Sequence, residues 1–206
     1  MTKASPSTPP ARSASSSATA ATSRYAVPTR DRILFATAEL FRRQGYNGTG
    51  LKQVVVEAEA PFGSLYHHYP GGKQELGEAV IHSAGAFFQA LVTAVYDEEP
   101  GRSAEASVRA VFRGAAETLE ATDYEDACPI ATVALEVAST DDRLRRATAE
   151  VFERWTAAIT EGLGDRQKSL AIIAALEGAF ILCRASRSTE AMHAAGEMAA
   201  ALVADS

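Results

Sequence analysis

From Ile33 to about residue 203, apolar side chains recur at helical spacing, and no segment of useful length alternates with period two between turn signals. That pattern confines the chain to an all-α fold of about nine helices. Ile33, Leu34, Ala38, Leu40 and Phe41 form the first stripe, with Pro28 suited to its opening turn and Gly45 to its stop. Two short segments follow, Leu51 to Ala58 and about Phe62 to His68. A longer stripe runs through Leu76, Ala79, Val80, Phe87, Phe88, Leu91, Val92 and Val95 to Pro100-Gly101. Further helices are predicted over about 102–121, 129–138, 142–163, 167–186 and 189–203, separated by polar breaks at 123–126, 139–142, 162–165 and 186–189. Val54-Val55-Val56 is β-branched but too short, and too closely flanked by helix formers, to be a strand.

Residues 1–26 are mostly Ser, Ala, Thr and Pro, with three basic and no acidic side chains, too little apolar surface to offset ordering entropy. A disordered tail is expected there. An Arg- and Ser-bearing leader also has the composition of a transit peptide, but it shows no amphipathic stripe. No uninterrupted apolar run reaches the roughly 18 to 20 residues of a membrane span. The two cysteines, Cys128 and Cys183, are too few for a disulfide scaffold or a structural zinc site, so a cytoplasmic, reducing location is expected.

The net charge of −6 argues against a polyanionic partner until it is divided along the chain. Residues 1–80 hold nine basic and six acidic side chains, and the remainder 11 and 20, balances of +3 and −9. The front half can approach nucleic acid; the rear half is built to stay away from it.

Within that front half, Leu51 to Ala58, the break Glu59-Ala60-Pro61 and Phe62 to His68 have the layout of a helix-turn-helix, whose second helix enters the major groove. Thr49 is placed to cap the first short helix, Pro61 forces the break, and Gly63 and Ser64 keep the leading face of the second slim.

Ile33 to Glu78 resembles the DNA-binding domain of the tetracycline-repressor (TetR) family of transcriptional regulators. Ala38-Glu39-Leu40-Phe41, Gly45-Tyr46, Thr49, Leu51, Val54, Ala58, Gly63 to Tyr69 and Lys73 carry the likeness. Ala127-Cys128-Pro129-Ile130-Ala131, with Ala134-Leu135-Glu136, is similar to the LmrA/YxaF-like branch. The resemblance implies a DNA-binding domain over 27–74 and a ligand-binding and dimerisation domain over 75–206. It also implies a homodimer through the last two helices, double-stranded operator DNA as partner, and a small-molecule effector.

The expected DNA-contacting residues are Thr49, Lys52, Phe62, Gly63, Ser64, Tyr66, His67 and Lys73. Tyr66 and His67 can donate to phosphates or base edges, and Thr49 and Lys52 to phosphates. Lys73, after Gly71-Gly72 at the start of a helix, offers an ammonium beside exposed amides as a phosphate clamp. Tyr69 is expected to pack inward. Two departures stand out: Glu59 replaces the usual turn glycine, and Phe62 the usual basic or small polar residue.

Behind this domain, Phe88, Phe112, Cys128, Trp155 and Ile159 are expected to line an apolar effector cavity between helices. Leu170 to Cys183 is apolar nearly all round, and the last helix is rich in alanine, a pair that looks like half of a four-helix dimer interface, with a self-contained monomeric bundle as the alternative. Cys128 leaves open a thiol-based redox sensor on the same scaffold, although no basic residue lies nearby in sequence. The four histidines are scattered, and no paired acid and base, metal-ligand cluster or nucleophile elbow is present, so neither an enzyme, a metal site nor a cofactor is expected.

Overall fold

The carbonyl of Pro28 accepts the amides of Asp31 and Arg32, both at 3.0 Å, and so starts α1 (Thr29–Gly48). The expected stop at Gly45 is instead a kink, with φ 76° and ψ 178°, after which helical bonding resumes to Gly48. The computed structural model describes residues 27–97 and 101–204; the tail expected over 1–26 lies outside the described residues. α1 is followed by α2 (Leu51–Glu57), α3 (Phe62–His68), α4 (Gly72–Asp97), α5 (Ala104–Ala121), α6 (Pro129–Val137), α7 (Asp142–Leu163), α8 (Arg166–Ser186) and α9 (Glu190–Ala204). These are nine helices, with no strand among the described residues.

The breaks fall at the polar clusters because those residues satisfy helix ends. Asp141 accepts the amides of Arg143 and Leu144, and Asp165 those of Gln167 and Lys168. Gly164 turns left-handed, with φ 72°, between α7 and α8.

Thr49 does not cap α2, contrary to expectation. Gly50 holds that position, while the buried Thr49 hydroxyl donates to the Gly45 carbonyl at 2.7 Å and closes the kinked end of α1. Thr49 is the residue that closes α1, and its hydroxyl makes the same bond to the carbonyl four residues back that Thr37 and Thr156 make within helices.

The turn between α2 and α3 is a helix-terminating motif in which the Glu59 amide reaches the Val56 carbonyl at 3.1 Å and the Ala60 amide that of Val55 at 2.9 Å. Glu59 sits at its left-handed position with φ 48°, which explains why glycine is usual there. Arg32 braces the strained turn from α1, its Nη1 donating to the carbonyls of Ala58 and Glu59, both at 3.1 Å.

Two apolar cores result. The front core joins Phe41, Leu65 and Tyr69 to Leu76 and Ile81 of α4, Ile130 and Val133 of α6, and Leu144 and Val151 of α7. It therefore runs past residue 74 without interruption. The rear core is made by α5, α8 and α9, with Phe112, Leu119, Leu176, Cys183 and Met192 at its centre. Gly196 sets the spacing there: a Cβ on it would stand 2.8 Å from the Cβ of Phe112. The helix α8 is long and apolar enough to cross a membrane by length and composition, and its inner side, from Ser169 through Ile172, Leu176 and Ala179 to Cys183, is buried.

Candidate nucleic-acid interface and effector cavity

Leu65 and Tyr69 anchor α3 from beneath. Both are buried, and the Tyr69 hydroxyl donates to the Arg30 carbonyl at 3.4 Å. Burial raises the Tyr69 phenol above its ordinary pKa, so it stays neutral. With those two side chains turned inward, helical geometry turns Phe62, Gly63, Tyr66 and His67 outward, and all four are exposed. The Phe62 and Tyr66 rings lean together with centroids 5.6 Å apart. A Cβ on Gly63 would meet nothing within 4 Å, so the fold itself does not require glycine there. Ser64 is half-buried in the same first turn, and Lys52 is exposed on α2.

Two expected contacts behave differently. Thr49 is 2% exposed with its hydroxyl bonded within the protein, so it supports α1 rather than reaching a phosphate. At the start of α4 the Gly71 amide donates to Glu75 Oε2 at 2.6 Å and the Gly72 amide to the Tyr69 carbonyl at 2.9 Å. Those amides are occupied, and the clamp reduces to Lys73, whose ammonium rests 4.4 Å over the Tyr46 ring. Partial burial lowers the Lys73 pKa, opposed by the nearby Glu136 carboxylate.

The basic side chains of the front half also divide by role. Arg42 pairs with Glu39 and, at 3.2 Å, with Asp126. Arg43 pairs with Glu39 at 2.7 Å and Glu125 at 3.7 Å. With Arg32 bracing the turn, three arginines that sequence arithmetic credits to DNA are committed to the fold.

Further polar links tie this front unit to the helices behind. Arg143 Nε donates to Glu78 at 2.8 Å, Gln74 Nε2 to Asp141 at 2.9 Å, and the Asn47 amide to Glu136 Oε2 at 2.6 Å. Glu136, which the sequence marks only as part of the LmrA/YxaF-like likeness, thus grips the kink of α1.

The cavity expected between helices is present. It has a volume of about 380 Å³ and is lined by Phe88 of α4, Trp155 and Ile159 of α7 and Ala104 of α5, with Gln89, Thr93 and Arg102 as its polar groups. The Trp155 indole donates to the Gly85 carbonyl at 2.9 Å and its ring lies 4.6 Å from that of Phe88. Close approach of α4 and α7 permits this, since a Cβ on Gly85 would stand 2.6 Å from Val151. Phe112 is buried in the rear core and borders a small adjoining void of about 40 Å³, which shares Phe88, Trp155 and Ile159 with the cavity. Three of the five expected lining residues thus meet in one place, with Phe112 immediately behind them. Gln89, Thr93 and Arg102 escaped sequence reasoning because a polar residue on a helix ordinarily signals solvent.

Cys128 is not part of that wall. It lies between α6 and α8, where burial, reinforced by Glu177, pushes its thiol well above the ordinary cysteine pKa. A thiol held protonated is a poor nucleophile, the opposite of what redox sensing needs.

A helix-turn-helix with an exposed recognition helix, tied to a helical unit enclosing an apolar cavity, defines a DNA-binding transcriptional regulator. Residues 33–80 match the tetR family of bacterial regulatory proteins, and residues 104–198 the C-terminal domain of LmrA/YxaF-like transcriptional regulators. The transcriptional regulator LmrA of Bacillus subtilis is 28% identical over 80% of this chain and 91% of its own. An uncharacterized helix-turn-helix regulator of Mycobacterium tuberculosis, MT0206, is 33% identical over 77% of this chain and 85% of its own. The crystal structure of a TetR regulatory protein from Rhodobacter sphaeroides superposes with a TM-score of 0.74 at 20% identity, over 84% of this chain and 98% of that one. The chain belongs to the TetR family of transcriptional regulators, with an LmrA/YxaF-like C-terminal domain.

Proposed function

We propose that the chain is a ligand-responsive repressor that binds a pseudo-palindromic operator as a homodimer and is released by a small apolar or aromatic effector. The observation that carries this reading is the outward face of α3, where Phe62, Gly63, Tyr66 and His67 stand exposed without a structural duty. Residues 27–74 serve as the DNA-binding unit, with Lys52, Ser64 and Lys73 flanking α3. Residues 75–206 serve for effector binding and dimerisation. The outer face of α8, with Leu170, Ile181 and Leu182 exposed, is the surface for the second copy, together with Met198 of α9. Two-fold symmetry sets the half-sites about one helical turn or a multiple apart, roughly 34–36 Å. Operator binding places the protein in the cytoplasm.

Effector release follows from population shift. α4 carries Lys73 in its first turn and Phe88, Gln89 and Thr93 in the cavity wall, so an occupant that moves α4 also moves the recognition helices. Gel-shift of the upstream intergenic DNA tests the reading. A sequence-preferring, salt-sensitive complex weakened by Tyr66→Ala, with the dimer intact, is expected. Absence of any such complex at moderate salt would sink it.

A further inference from the structure

A second cavity, of about 230 Å³, lies between α6 and α8, apart from the aromatic one. Cys128, Leu135 and Glu136 line one side, and Glu177, Phe180, Ile181 and Arg184 the other, with Ile181 shared with the α8 face proposed for the second copy. Cys128, Leu135 and Glu136 belong to the Ala127 to Ala131 and Ala134-Leu135-Glu136 stretches, none of whose residues lines the aromatic cavity. Glu177 lies between the two helices beside Cys128, half-buried, and its Oε2 is buried with no partner. Buried carboxyl oxygens are ordinarily satisfied, because leaving one bare forfeits its hydration without return. Arg184, two turns further along α8, does not fill the gap; its Nε donates to the Tyr124 carbonyl at 3.1 Å.

We propose that this cavity binds a small amphipathic amine, its ammonium facing the Glu177 carboxylate and its apolar body lying against Phe180 and Leu135. Burial raises the Glu177 carboxyl to about 7, so a cation arriving at neutral pH supplies the charge that holds it ionised.

The site has a route to the DNA-binding unit that bypasses α4. Glu136, on the cavity wall, accepts the Asn47 amide at 2.6 Å. Its carboxylate also fills the space beside Gly45, where a Cβ would stand 1.7 Å from Oε1. A ligand that spreads α6 from α8 therefore shifts the carboxylate that grips the kink of α1. The regulatory output rests on the DNA-binding reading; the ligand site does not.

Calorimetry on the full chain with benzylamine and benzyl alcohol, molecules of matched shape, tests the site. The amine should bind more tightly than the alcohol. Glu177→Gln should weaken the amine by about tenfold or more while leaving the alcohol unchanged. Leu135→Trp, at a position 74% exposed and so tolerant of substitution, should block both by filling the cavity. Equal binding of the two molecules, no amine binding at millimolar concentration, or amine binding that survives both substitutions overturns the proposal. Hydrogen exchange at the Asn47 amide, measured on the free protein, tests the coupling. Faster exchange with benzylamine supports it and unchanged exchange overturns it, whether or not an operator is found.

Discussion

Two helices turn large apolar side chains into solvent, and they do it with different neighbours. α3 exposes Phe62 and Tyr66 at 43% and 47%, beside Gly63 and His67, over one short stretch. α8 exposes Leu170, Ile181 and Leu182 at 46%, 54% and 60%, in line with Ala171, Ala174 and Ala185. The first surface is narrow and aromatic with polar tips, suited to a wet groove lined by phosphates and base edges. The second is a purely aliphatic stripe with nothing to hydrogen-bond, and such a stripe gains free energy only by leaving water altogether. Exposure alone does not distinguish them; the chemistry of the neighbours does.

Each surface has a single substitution that should impair its own function. If the proposed dimer forms through α8, Leu182→Arg should give a folded monomer by sedimentation and, with the two proposed half-sites then acting singly, weaken operator binding by about a hundredfold or more. A dimeric, fully active variant would reassign the α8 face. Tyr66→Ala should leave the melting temperature and the dimer intact while costing about tenfold in affinity per half-site, read by titration of operator fragments.

The link between the two regions offers a third substitution. Gly45→Ala forces a side chain into a conformation essentially reserved for glycine and into the Glu136 carboxylate, so a loss of about 2–3 kcal/mol is expected in denaturant unfolding. Relief of that loss by Glu136→Ala in the double variant would separate the clash from the backbone strain.

Acidity sharpens the contrast further. The Glu177 carboxyl is raised from 4.5 to about 7 by burial. Its contribution is complete below the unfolded value and is lost as pH rises through the folded one. Glu177→Gln should therefore gain stability on the wild type by about 1–2 kcal/mol between pH 5 and pH 8, measured as the change in the melting difference. Aliphatic-face variants should show no such trend. The smallest effect belongs to the turn under α3. Glu59→Gly relieves a left-handed residue at φ 48° and should stabilise by about 1 kcal/mol, while removing a charge that repels DNA.

Much of this was legible in the chain itself. Periodicity and polar breaks located all nine described helices, several to within a residue or two, because Asp141, Gly164 and Asp165 act locally on the helix ends they terminate. The Pro61 break and the slim Gly63-Ser64 turn marked the recognition helix for the same reason. Thr49 misled because it stands one residue before the N-cap Gly50 and, as the residue closing α1, donates back to the Gly45 carbonyl.

What the sequence determined by itself was local: where helices begin and end, which face of α3 turns outward, and which family the motif resembles. The tertiary structure alone decided which charges remain available to DNA, since Arg32, Arg42 and Arg43 are engaged by groups up to 84 residues away. It also decided that Cys128 lies apart from the aromatic cavity, that Glu136 holds the kink of α1, and that one oxygen of Glu177 is buried and bare. Helix propensity and capping act over a turn or two of chain, whereas ion pairing, burial and cavity shape are set by segments that meet only after the chain has folded.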